Sequence, residues 1–207
     1  MTLAGALERL HAFGLPVLRT ADVTAHLDVN PANASQIMLR LARHGYVQRI
    51  KRGLWSLADT EPMAIVSHLT APFPAYISLQ SALYHHGMIS QIPDVVYCVS
   101  LARTRVYHTP LATVSVHHVP DTLYFGYERL GNGAFGMATP EKALVDFCYL
   151  GPTKSRLFAA LPELEVPHDF SHKRLQWMMA RISDPKRRAH VQLRINRLLQ
   201  GKVRSVT

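Results

Sequence analysis

The amino-acid sequence predicts an α+β fold with a small N-terminal domain and a larger second domain that combines a mainly antiparallel sheet, flanking helices and basic C-terminal helices. Three observations lead to this prediction. Residues 31–57 resemble a helix followed by a hairpin, five strand-like runs lie between residues 95 and 138, and helical periodicity dominates from about 153 to 199. The 207 residues, 48% of them hydrophobic, can bury two cores. We therefore divide the chain into 1–58, a joint at 59–75, and 76–207.

A short helix and a tight turn are predicted first. Thr20 is expected to cap a helix over Ala21–Leu27, because its hydroxyl can accept from a free N–H in the first turn. The helix cannot continue into Pro31, since the residue before proline avoids the α region and proline favours the first helical position. The second helix is therefore predicted to run from about Pro31 to His44, with Gly45 as its left-handed end.

The second helix has an apolar face and a polar face. The apolar positions at helical spacing are Ala34, Ile37, Met38 and Leu41, and the polar positions are Asn33, Gln36, Arg40 and Arg43. Leu39 does not fit the polar face and is expected to contact the first helix. Amide side chains pair with adenine edges, and guanidinium groups pair with guanine or phosphate. The polar face is therefore predicted to lie in the major groove of DNA.

Two short strands follow, with a turn at Arg52-Gly53. Three cations near the tip are expected to hold phosphate groups: Arg49, Lys51 and Arg52. This order of elements predicts a winged helix-turn-helix that binds double-stranded DNA, and Thr20 and Ser35 complete the predicted DNA-binding set. A winged helix that makes only protein contacts is the alternative.

Extended runs between helices predict the second domain. A helix at 63–69 and the Pro-rich residues 71–75 form the joint, and a helix over 78–86 ends at Gly87. Strands are predicted at 95–101, 105–109, 113–119, 123–128 and 134–138. Thr139 then caps a helix that ends at Leu150. Two apolar stripes predict the last helices: Leu175, Met178, Met179 and Ile182, then Val191, Ile195, Leu198 and Leu199.

Charge is distributed unevenly along the chain. The formal net charge is +9, and residues 1–58, 59–171 and 172–207 contribute +4, −4 and +9. Two basic ends suggest two surfaces that face nucleic acid or another anion, although a solvated helix face is the alternative for the second. The C-terminal cations that could bind an anion or a partner are Lys186, Arg187, Arg188, Arg194, Arg197, Lys202 and Arg204.

The sequence predicts a cytoplasmic protein. The first residues, MTLAGALERLHAFGLPVL, lack the basic leader and cleavage site of a secretory signal, and no apolar run approaches the length of a membrane span. Cys98 and Cys148 do not form the cysteine framework of a secreted domain, so both are expected to be buried thiols. No cofactor is expected.

Two segments of the second domain resemble a known family. YISLQSALYHHGMISQIPDVVYCVS (76–100) and LYFGYERLGNGAFGMATPEKALVDFCYL (123–150) resemble the AbiEi-type antitoxins and transcriptional regulators of abortive-infection systems. The resemblance implies an autorepressor encoded beside a nucleotidyltransferase toxin, with DNA contacts in Pro31–His44 and the wing at Gln48–Leu54. It also implies that the second domain neutralises the toxin, without a stable complex in the better-known members of the family.

Two other functions stay open. Glu141, Lys142 and Asp146, with Asp121, loosely resemble the carboxylates and lysine of metal-dependent nucleases, although helix capping and the helix dipole explain the first two. The histidine pairs 85–86 and 117–118 lack the spacing of a structural zinc site, so no metal-binding residue is expected. No catalytic residue is expected either. The other alternative is a ligand-responsive repressor without a toxin.

Overall fold

Three helices and a small antiparallel sheet make up the N-terminal part of the computed structural model, which describes residues 2–151 and 164–200. The elements are α1 (Leu3–Ala12), β1 (Val17–Arg19), α2 (Thr20–Leu27), α3 (Pro31–Arg43), β2 (Val47–Lys51) and β3 (Leu54–Leu57). The sheet has the order β1-β3-β2, so β3 is central. We did not predict α1 and β1 from the sequence.

Local signals set the bounds of α3. The side chain of Asn30 accepts a hydrogen bond from the Asn33 N–H at 2.8 Å, and Pro31 occupies the first helical position. The chain leaves the helix at Gly45, whose φ of +77° suits glycine. The predicted start and end of this helix are confirmed.

The predicted capping role of Thr20 is wrong. The helix begins at Thr20 itself, so its hydroxyl is one position too late to cap the first turn. The Asp22 carboxylate instead reaches back and accepts from the backbone N–H of Arg19 at 2.8 Å. The hydroxyl of Thr20 accepts a hydrogen bond from the indole Nε1 of Trp55 at 3.1 Å, which ties α2 to β3.

Both faces of the small sheet are buried, each in a different core. Leu18 and Trp55 pack with α1, α2 and α3 in a small N-terminal core. Their neighbours Val17 and Leu54 belong to the large core of the second part, as does Ile50 of β2. Because successive side chains of a strand point to opposite faces, each strand can contribute to both cores. The small sheet is therefore the structural connection between the two parts of the chain.

A mixed six-stranded sheet organises the second part. After a 3₁₀ turn (Pro62–Ile65), its elements are α4 (Val66–Thr70), β4 (Ala75–Ile77), α5 (Leu79–His85), β5 (Val96–Ser100), β6 (Arg105–His108), β7 (Thr113–His118), β8 (Tyr127–Leu130), β9 (Phe135–Ala138), α6 (Pro140–Leu150), α7 (His172–Ala180) and α8 (Pro185–Gln200). The strand order is β6-β7-β5-β4-β9-β8.

The sheet is mainly antiparallel, as predicted, with two parallel pairings. β6 with β7, β4 with β5, and β8 with β9 are antiparallel, whereas β5 with β7 and β4 with β9 are parallel. The central strand β4 was missed, because the Pro-rich residues before it were interpreted as a joint. The strand predicted at 123–128 begins later, at Tyr127, after a 3₁₀ turn at Asp121–Leu123.

Helix α6 is the central helix of the large core and contacts α5, α7 and α8. Thr139 caps it as predicted, and its hydroxyl accepts from the Lys142 N–H at 3.4 Å. The apolar stripes predicted for α7 and α8 are confirmed, since Leu175 and Ile195 are among the buried residues of this core. Of the stretch from 153 onward that we predicted to be helical, residues 153–163 lie outside the described residues, and residues 164–171 form a loop and a turn before α7 begins. None of the described helices is both long and apolar enough to cross a membrane.

A buried ion pair joins α6 to the centre of the sheet. The ammonium of Lys142 bonds Oδ1 of Asp146, and both residues are at most 1% exposed. Oδ2 of the same carboxylate accepts from the Tyr76 hydroxyl at 2.9 Å and from the Ser78 hydroxyl at 2.8 Å. Burial, and then the adjacent Asp146 carboxylate, raise the pKa of Tyr76, so this hydroxyl keeps the proton that it donates.

We expect the variant Asp146→Asn to lower the free energy of unfolding by about 3–5 kcal/mol, because it leaves the Lys142 ammonium buried without a countercharge. The matched control is the double variant Lys142→Met/Asp146→Asn, which removes both charges and keeps an acceptor for the two hydroxyls. It should recover most of the stability in urea unfolding followed by circular dichroism. A double variant at least as unstable as the single one would contradict this account of the pair.

Candidate nucleic-acid interface

The outer face of α3 is open to solvent. Its predicted core positions Ala34, Ile37, Met38 and Leu41 are buried. The predicted polar positions Asn33, Gln36, Arg40 and Arg43 are all exposed, and Ser35 is half-buried. The sequence therefore predicted correctly which face of this helix packs and which faces outward.

Leu39 shares the outer face of α3. The contact that we predicted for it with the preceding helix, now α2, is wrong. The side chain is 37% exposed. Its position about one turn after Gln36 places it beside the polar residues rather than toward the core. The exposed face is thus mostly polar with one aliphatic side chain, a combination that suits base edges and the methyl group of thymine.

The cations of the β2–β3 hairpin differ in how firmly they are held. Arg49 is exposed, and its guanidinium carbon lies 5.6 Å from the centre of the Trp55 ring. Lys51 is exposed, but its ammonium donates to the backbone carbonyl of His68 in α4 at 3.2 Å. Arg52 is exposed at the turn beside Gly53. The hairpin tip therefore rests against α4 and is held in position.

A basic cleft of about 430 Å³ opens between the hairpin tip, the start of α2 and α4. Arg19, Lys51, Arg52 and His68 line it. Burial lowers the pKa of His68, and the neighbouring Arg19 and Lys51 lower it further against the opposing effect of Asp22. The cleft is therefore positively charged without any contribution from this histidine, as suits a phosphate group.

Arg19 and His68 were not among the residues predicted from the sequence. They belong to segments that are far apart along the chain and meet only because the small sheet packs against α4. The predicted DNA-binding residue Thr20 lies beside this cleft, but its hydroxyl is engaged with Trp55.

Three of the C-terminal cations make contacts within the protein. Arg187 donates to the carbonyl of Tyr149 at 2.8 Å, and Arg194 donates to the carbonyl of Cys148 at 3.2 Å. These carbonyls belong to the last turn of α6, where the helix has no partners for them and its dipole is negative. The guanidinium of Arg194 lies where a side chain at Gly151 would clash with it. Arg188 donates to the carbonyl of Ile182 at 2.9 Å.

These contacts correct the interpretation of the basic C-terminus. Its high cation count reflects in part arginines that cap α6 and hold α8 in place. Lys186 and Arg197 are exposed and remain available to an anion or a partner. Lys202 and Arg204 lie outside the described residues.

The residues of the nuclease alternative do not form an open site. Lys142 and Asp146 bond each other in the interior. Glu141, in the first turn of α6, is fully buried and accepts from the Ser171 N–H at 2.6 Å, while Arg174 lies 3.1 Å from it. Asp121 is exposed on a 3₁₀ turn.

The buried histidine and cysteines are packing residues. Burial lowers the pKa of His117 to about 4, so its ring is neutral near pH 7 and hydrogen-bonds the Ser115 hydroxyl at 3.0 Å. Both Cys98 and Cys148 are buried free thiols, as predicted, and burial raises the pKa of Cys148 to about 12. Within 2–151 and 164–200, no three His, Cys, Asp or Glu side chains are grouped closely enough to hold a metal ion.

The exposed face of α3 and the adjoining basic cleft are therefore the strongest candidate site in the described part of the chain. No protein-family model matches the sequence, and no curated protein matches it.

We expect Arg187→Met and Arg194→Met each to lower the free energy of unfolding by about 1–2 kcal/mol, because carbonyls at the end of α6 no longer have a charged donor. Lys186→Ala and Arg197→Ala are controls on the same helix, and each should change the free energy of unfolding by less than about 0.5 kcal/mol. Thermal and urea unfolding measure the difference. Equal effects at all four positions would show that the two arginines do not cap α6.

Proposed function

We propose that this chain is an antitoxin and transcriptional autorepressor of the AbiEi type, and that residues 2–57 act as a winged helix-turn-helix on its own promoter. The observation that carries the proposal is the outer face of α3, where two amides and two guanidinium groups are exposed together. Amide and guanidinium side chains are the types that pair with base edges and phosphate when a helix lies in the major groove. The resemblance of residues 76–100 and 123–150 to AbiEi-type proteins supports the same function.

In this proposal, α3 is the recognition helix. From Asn33 to Arg43 it rises about 15 Å, enough to follow several base pairs in a major groove about 12 Å wide. Asn33 and Gln36 would pair with adenine, and Arg40 and Arg43 with guanine or phosphate. Ser35, at the edge of this face, would contact the DNA backbone.

The hairpin serves as the wing. Arg49 and Arg52 are exposed, and the basic cleft adds Arg19 to them. These cations would hold phosphates on either side of the groove that α3 occupies, which adds affinity but little sequence preference. Because the tip rests on α4, the wing is presented in one position and loses little freedom on binding.

Toxin neutralisation is assigned to the second part of the chain. This assignment rests on the resemblance, which implies a nucleotidyltransferase toxin encoded beside the antitoxin. Lys186 and Arg197 are exposed on α8, which follows the proposed recognition helix by more than a hundred residues in the sequence. They are the cations that we assign to an acidic face of that toxin or to nucleic acid bound by it. The proposal places the protein in the cytoplasm, where both DNA and toxin are found.

We expect the double variant Arg40→Ala/Arg43→Ala to weaken binding to the promoter by about 1–3 kcal/mol for each arginine that pairs with a base. A gel shift with the DNA upstream of the protein's own coding sequence measures the change. Replacing Lys51 or Arg52 by alanine should lower affinity for all sequences alike and reduce the salt dependence, because these residues contact phosphate. Arg103→Ala, at an exposed arginine before β6, is the control and should bind as the natural protein does.

The same variants separate the two activities. The Arg40→Ala/Arg43→Ala protein should still rescue growth of cells that express the neighbouring toxin, while it no longer represses the promoter. Unchanged promoter affinity in a correctly folded double variant would overturn the recognition helix. Cleavage of plasmid by the pure protein with magnesium or manganese would favour the nuclease alternative instead.

A further inference from the structure

A cavity of about 240 Å³ lies between the joint and the large sheet. One wall consists of the start of α4 and residues 71–74, and the other consists of β4, β8 and β9. These segments are separated by up to about 70 residues in the sequence and meet only in the folded chain. The proposed recognition of DNA and toxin leaves this cavity without a role.

The sheet wall of the cavity is a preformed aromatic surface, in which the partly exposed rings of Tyr124 and Tyr127 face the cavity and the fully buried ring of Tyr76 supports them from behind. The ring of Tyr127 stacks on that of Tyr76, with centroids 4.8 Å apart and planes 10° from parallel. Tyr124 adjoins both rings at 5.2 and 5.4 Å. Gly136 permits this arrangement, because a Cβ there would lie 2.9 Å from the Tyr127 ring. The hydroxyl of Tyr76 is fixed by Asp146, so the wall keeps its shape when nothing is bound.

The other walls add a further ring and a cation. Phe73, on the joint, is 49% exposed although it lines the cavity. Arg129 is exposed and donates through Nη1 to the Gly133 carbonyl at 3.0 Å, which leaves other N–H groups of its guanidinium for a ligand. No acidic side chain is among the described residues that line the cavity. The lining therefore combines aromatic surfaces with positive charge.

We infer that this cavity binds a planar aromatic ring system that carries an anionic group. The ring stacks against the tyrosine wall, as aromatic faces do in offset or parallel pairs, and the anion accepts hydrogen bonds from Arg129. The volume is slightly below the range of about 300–1,000 Å³ that is typical for drug-sized ligands, so it suits one ring system. Nucleoside monophosphates and aromatic carboxylates share this chemistry.

The position of the cavity connects it to the wing. Ala71 and Pro72 line both this cavity and the basic cleft at the hairpin tip. A ligand that shifts these two residues also shifts the surface on which the tip rests. Filling the cavity should therefore change the affinity for the promoter. This consequence rests on the proposed function, whereas the binding of the ligand to the cavity is independent of it. This coupling would make the repressor ligand-responsive.

Isothermal titration calorimetry of the full-length protein tests the site. The probes are the four 5′-nucleoside monophosphates and benzoate, with the uncharged nucleosides and benzyl alcohol as neutral analogues. The variant Arg129→Gln removes the cation of the cavity, and Arg103→Gln is its control beside the opposite edge of the sheet. We expect saturable binding of an anionic probe to the natural protein and to Arg103→Gln. Arg129→Gln should bind it about tenfold more weakly, with the neutral analogues unchanged, because only the anionic group pairs with the guanidinium.

The probe that binds more tightly identifies the ligand class: monophosphates over benzoate indicate a nucleotide, and the reverse indicates an aromatic acid. The site would be overturned if neither the monophosphates nor benzoate showed saturable binding, or if Arg129→Gln and Arg103→Gln weakened the binding of the anionic probe equally. Repeating the promoter gel shift with the bound probe tests the coupling. An unchanged promoter affinity would overturn the coupling. If the protein does not bind its promoter at all, the proposed function is contradicted, while the calorimetric evidence for the cavity as a binding site still holds.

Discussion

The architecture depends on the burial of both faces of a three-stranded sheet. Leu54 and Trp55 are neighbours in β3, yet one belongs to the large core and the other to the N-terminal core. Burying a large apolar side chain stabilises a protein by about 1.5–3 kcal/mol. Detaching the hairpin from α4 would expose several such side chains to water and remove their stabilisation. The N-terminal helices are therefore fixed relative to the large sheet. This arrangement leaves the polar face of α3 as the outer surface of the N-terminal part.

Charged residues in this protein often have structural roles. Lys142 and Asp146 neutralise each other in the interior, and Glu141 is buried beside them. Arg187 and Arg194 use their charge at the C-terminal end of α6. A net charge of +9 therefore overstates the cationic surface that a partner meets. The exposed cations near α3 therefore say more about a binding partner than the number of Lys and Arg residues in the C-terminal helices does.

Local chemistry predicted the ends of two helices correctly, although the predicted cap at Thr20 was wrong. Pro31 and Gly45 set the ends of α3, and Thr139 set the start of α6, because caps and φ preferences act within one turn. The three-residue central strand β4 was missed, since its residues follow a Pro-rich joint and show no alternation. The basic cleft could not be predicted, because it forms where the tip of the hairpin meets α4. The two parallel pairings were not predicted, because each joins strands that are not consecutive in the chain: β5 pairs with β7 past β6, and β4 pairs with β9 from far along the sequence.

The central claim is that the outer face of α3 meets DNA while the small sheet stays fixed to the large core. NMR titration of the full-length protein with its promoter duplex tests it most directly. The account predicts the largest shift changes in residues 33–43, including the side-chain amides of Asn33 and Gln36, with smaller changes at 49–52. The buried methyl groups of Ile50 and Leu54 should keep their packing against the large core. Changes concentrated in 185–200, with α3 unaffected, would contradict the account.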